Sequence, residues 1–60
     1  MSATRYFTDG TATWKFPPTG RPMMRFNDSA EWDKSAFYSL AEFKAAPGNT
    51  KEISEEEGEP

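Results

Sequence analysis

Neither cysteine nor histidine occurs in this 60-residue sequence. Without cysteine there is no disulfide framework and no thiolate metal site; without histidine the commonest zinc ligand and the most adaptable general base near neutral pH are missing too. Cysteine usage therefore says nothing about redox compartment. Long apolar runs are equally absent: no stretch approaches the roughly 18 residues of a membrane span, and MSATRYF lacks the apolar core of a secretory signal. The expectation is a cytoplasmic protein with no membrane contact. Walker, G-x-G-x-x-G and nucleophile-elbow motifs do not occur, and TDGTAT lacks the further carboxylates of a calcium loop. A chain of this size hardly encloses a pocket of about 300 Å³ once its core is built. The reading is accordingly non-enzymatic, with no cofactor and no metal.

What is present is unevenly divided. Residues 1 to 25 hold Arg5, Lys15, Arg21 and Arg25 against Asp9 alone, a balance of +3, whereas three lysines face nine acids from residue 26 onward, a balance of −6. Such asymmetry points to an interaction tail or to pairing between a basic face and an acidic segment.

The stretch RYFTDGTATWKF reads as a β-hairpin, because Asp-Gly readily supplies the positive φ angles of a two-residue turn. With Asp9 and Gly10 as the loop, Phe7 faces Ala12, Arg5 faces Trp14 and Ala3 faces Phe16 on one side. Tyr6 with Thr13, Thr8 with Thr11 and Thr4 with Lys15 share the other. PPTGR interrupts the pattern, since proline donates no ladder hydrogen bond, and PMMRF resumes it. A five-residue loop, 17 to 21, sets Trp14 opposite Met24 and Ala12 opposite Phe26; a one-residue slip turns Arg21 and Arg25 toward the core instead.

The period then changes. Trp32, Ala36, Leu40 and Phe43 recur at spacings of four, four and three, an apolar stripe on one helical face. Two starts fit: a cap among Asn27, Asp28 and Ser29, or Ser35 capping a shorter helix after an extended AEW segment. Pro47 and Gly48 mark the stop. The fold class expected is α+β: a three-stranded antiparallel β-meander with one C-terminal α-helix packed on its apolar face. This domain occupies residues 1–47. Residues 48–60 have one large apolar residue, Ile53, among five glutamates, and composition of that kind predicts a flexible acidic tail.

Function then rests on surfaces. Packing must occupy Phe7, Trp14 and Phe16, which leaves Tyr6, Lys15, Met23 and Arg25 as a partner-binding patch on the opposite sheet face. Glu55, Glu56 and Glu57 form a second candidate, with three readings: solubilising charge, an imitation of a phosphate backbone, or fold-back onto Arg5, Lys15, Arg21 and Arg25. Ser54 ahead of them matches the short pattern of an acidophilic phosphorylation site. So small a core makes support from a partner or from self-association natural. The favoured expectation is a protein-binding module, an accessory or inhibitory protein of the phage-encoded type acting on a larger protein. The alternative is single-stranded nucleic acid on the basic, aromatic face, which a net charge of −3 disfavours.

Overall fold

The computed structural model describes residues 4–46 and 48–59. Five strands form one antiparallel sheet: β1 (Arg5–Thr8), β2 (Ala12–Phe16), β3 (Met23–Phe26), β4 (Asp33–Lys34) and β5 (Lys51–Ile53). Two short helices, α1 (Leu40–Ala45) and α2 (Glu55–Gly58), flank β5 in sequence. The spatial order is β4-β3-β2-β1-β5, so the last strand returns to lie beside the first. The three-stranded meander is thus the centre of a wider sheet.

β1 and β2 pair with Arg5 opposite Phe16, Phe7 opposite Trp14 and Thr8 opposite Thr13, two positions away from the register of a two-residue Asp9-Gly10 loop. Side chains cause the shift. The Asp9 carboxylate accepts the backbone N–H groups of Thr11 and Ala12 at 2.8 and 2.9 Å, while the Thr8 hydroxyl accepts from Gly10 N–H and donates to the Ala12 carbonyl. Gly10 takes the positive φ, +93°, that this wider turn needs. Because the displacement is even, every side chain keeps its expected face. The pairing expected for Ala3 lies outside the described residues. β3 joins in the register that the five-residue loop requires, with Trp14 opposite Met24 and Ala12 opposite Phe26.

The long helix does not form; the shorter alternative is nearer. Serine hydroxyls compete with helical hydrogen bonding along this stretch. Ser29 Oγ accepts from Glu31 N–H, Ser35 Oγ from Phe37 N–H, and Ser39 Oγ from Glu42 N–H as the N-cap of α1. Meanwhile Asp33 and Lys34 pair with the open edge of β3 as β4, and Ser35 N–H reaches the Pro22 carbonyl. Pro47, the expected stop, lies outside the described residues.

One core results, on one face of the sheet. Phe43 of α1 stands among Phe7, Trp14, Phe16 and Phe37 with ring centroids 5.0 to 5.5 Å away, and Leu40 packs beside them. Trp32 is absent from that cluster. Tertiary pairing of β4 breaks the helical stripe on which Trp32 and Leu40 would have shared a face. The segment expected as a flexible tail holds β5 and α2: β5 pairs with β1, setting Tyr6 opposite Ile53 and Thr8 opposite Lys51. Arg5 fastens this edge with a two-pronged bond to Glu52 at 2.8 and 2.9 Å. No helix among the described residues is long and apolar enough to cross a membrane.

Candidate functional site

Strand alternation builds the second face of the sheet. Tyr6 and Thr8 of β1, Thr13 and Lys15 of β2, and Met23 and Arg25 of β3 all point away from the aromatic core. Register adds Lys34 from β4 and Lys51 from β5. Trp32, just before β4, arrives on the same side. Its ring lies 4.3 Å from Lys15 Nζ and 5.3 Å from Arg25 Cζ. Two rings and four cations thus share one surface.

That surface is covered by the chain itself. Tyr6 is only 2% exposed and Arg25 only 8%, which corrects their reading as an open partner-binding patch. Lys15 and Met23 are half-buried. The cover is residues 54–59, a strap that starts where Ser54 caps α2 through a reciprocal capping box with Glu57. The hydroxyl marked out as a modification pattern therefore serves as a helix cap. Gly58 lies against the Tyr6 ring so closely that a methyl group on it would sit 2.3 Å from Tyr6 Cδ2. Beyond it, the Glu59 carboxylate accepts from the Tyr6 hydroxyl and from Lys15 Nζ at 3.1 Å, and the Gly58 carbonyl accepts from Arg25 at 3.1 Å. Of the three readings of the acidic segment, the structure matches fold-back, through Glu52 and Glu59. Glu55, Glu56 and Glu57 remain exposed.

The strap's contacts shift several ionisations. Burial, and then the bond to Glu59, push the Tyr6 phenol well above its ordinary value. The Tyr6 hydroxyl, and then Lys15, hold the Glu59 carboxyl below the usual carboxylate range. Arg5 does the same to Glu52, and the turn N–H groups of Ala12 and Thr11 to Asp9. Carboxyls with depressed values contribute stability above the ordinary range of about 4 to 4.5, lost as pH falls through their folded values. The raised phenol contributes below about pH 10, and that contribution is lost as pH rises through its folded value. Thermal melts across pH should accordingly show a plateau from about pH 5 to 9 with a fall on either side. Tyr6→Phe should remove the alkaline loss and leave the Asp9 and Glu52 part of the acid loss in place.

Beside the strap lies an open groove of about 800 Å³, lined by Thr8, Thr13, Arg25, Asn27, Lys51 and Ile53 among others. Its acidic members, Asp9 and Glu57, are engaged in the turn and in the capping box. Among the described residues no group of three His, Cys, Asp or Glu side chains is placed to hold a metal ion.

A different surface escaped the sequence reading. Tyr38, in the connection before α1, is 69% exposed, and the Arg21 guanidinium stacks 4.7 Å from its ring. Arg21 is itself held by a 3.1 Å bond to the Ser35 carbonyl. Beside the pair is a groove of about 380 Å³ lined by Phe16, Pro17, Pro18, Pro22 and Leu40. The available signal was the serine at 39: a cap there leaves Tyr38 outside the helix. Comparisons with protein-family models, curated proteins and solved structures found no match.

Proposed function

We propose that this chain is a non-enzymatic protein-binding module, an accessory or inhibitory protein that engages a larger partner through the Tyr38–Arg21 groove. One observation carries the reading: a large aromatic side chain stands two-thirds exposed yet held in place by a stacked, hydrogen-bonded arginine, beside a floor of prolines. Tyrosine and arginine are the side chains over-represented among interface anchors, because they bury much area at little entropic cost. Proline and the cation stack fix the groove beforehand, which lowers the ordering cost of association. Among the described residues, the patch first expected for this role is occupied by the strap.

A retained protein should bind the wild-type chain and lose at least about 30-fold in affinity for Tyr38→Ala, the loss expected of an anchor worth about 2 kcal/mol. Arg21→Ala should weaken it in the same direction. Phe26→Ala, exposed on β3 away from the groove, should bind as wild type. Biolayer interferometry on the partner captured by the wild-type chain reads all three. Equal affinity for Tyr38→Ala and wild type would remove the groove as the contact.

A further inference from the structure

The strap presents an anionic ligand to a face built for one. On a single sheet surface Tyr6, Lys15 and Arg25 meet a peptide whose carboxylate is clamped by a phenol and an ammonium and whose carbonyl is held by a guanidinium, and the Trp32 ring lies against both cations. The backbone of Gly58 lies against the Tyr6 ring, the position that a flat group stacked on that ring would take. Charge follows the same division. The four glutamates of residues 54–59 exceed the whole chain's net charge of −3, so the chain without them is net +1.

We infer that the face beneath residues 54–59 binds single-stranded nucleic acid, and that the strap occupies it in cis as a competing anion. An acidic peptide needs cations only; this face also supplies two rings, and rings interleaved with cations are what single-strand binders use to stack bases while neutralising phosphates. Lys34 and Lys51 extend the cationic surface on either side of the covered centre, so a strand longer than the strap finds further charge. Arg25 adds a buried cation that donates to the neutral carbonyls of Ser29 and Gly58. An arriving phosphate replaces the second of these with a charge-assisted bond. The strap is a discrete element, attached through Ser54 and opposed to the sheet by Gly58 and Glu59, and can lift while β5 stays paired.

Gly58→Ala separates cover from face, because the added methyl group collides with the Tyr6 ring while every proposed binding residue stays intact. Fluorescence anisotropy with a labelled ten-nucleotide oligothymidylate at 50 mM salt should show binding to Gly58→Ala at least tenfold tighter than to wild type. Adding Lys15→Ala should weaken that binding and lower its salt slope by about 0.7. If Gly58→Ala remains folded and strap-released by NMR yet binds no better than wild type, the inference fails. It fails equally if a glutamate-rich peptide competes more strongly than unlabelled oligonucleotide, which would assign the face to acidic protein segments. The unmodified protein gives a second arm that does not depend on the variant folding. Millimolar oligothymidylate at 20 mM salt should shift the Trp32 indole resonance and move the strap amides of Glu57, Gly58 and Glu59 toward random-coil positions; unchanged spectra overturn the proposal.

Discussion

Cutting the chain after Gly48 is expected to abolish cooperative folding. β5 supplies the pairing partner of β1 at Tyr6, Phe7 and Thr8, and the strap that follows buries Tyr6 to 2% exposure. Re-exposing an aromatic side chain of this size forfeits roughly 2 kcal/mol or more. The cut also opens the β1 edge and takes away the Gly58 carbonyl that Arg25 donates to. A domain this small has only a few kcal/mol of net stability to lose. The truncated chain should give collapsed amide dispersion at 25 °C where the full chain is dispersed. Near-equal melting midpoints for the two would show that residues 49–60 contribute nothing to the fold.

Phe43→Ala is expected to be the most damaging single substitution. Among the described residues its ring makes four of the five close aromatic pairs, touching Phe7, Trp14, Phe16 and Phe37, and it is the one deeply buried side chain that α1 contributes. Emptying such a site costs about 3–5 kcal/mol in general, and here little else can collapse into the space. α1 has only six residues and cannot hold its helical form without the contact. Circular dichroism at 25 °C should report an unfolded chain for Phe43→Ala, while Phe43→Leu should fold with a lowered midpoint. A variant Phe43→Ala that melts within about 5 °C of wild type would place the core elsewhere.

Both expectations concern features on which the sequence spoke unevenly. Period-two alternation identified the faces of β1, β2 and β3, because one side carried Phe7, Trp14 and Phe16 and the other threonines; even the two-position error at Asp9 left those faces unchanged. The helix was over-read for a physical reason. Trp32 and Ala36 fit a 3.6-residue period, but an open β3 edge and the hydroxyls of Ser29, Ser35 and Ser39 offered hydrogen bonds that local periodicity does not weigh. Composition misled most at the C-terminus. Five glutamates and one isoleucine bury little by themselves, but Ile53 needs only a partner strand, and Gly58 needs only the ring of Tyr6, fifty-two positions earlier. The candidate site shows the same limit. Tyr6, Lys15 and Arg25 were correctly grouped on one face; that the chain's own Gly58 and Glu59 cover it followed from contacts no window of sequence contains.

The acidic C-terminal segment is an integral cover on the sheet, which proton NMR of the intact protein can check. A nuclear Overhauser spectrum should show strong cross-peaks between the Tyr6 ring protons and the α-protons of Gly58, with those α-protons shifted upfield by the ring against which they lie. Random-coil shifts for residues 54–59, with no cross-peak from Gly58 to Tyr6, would contradict the account.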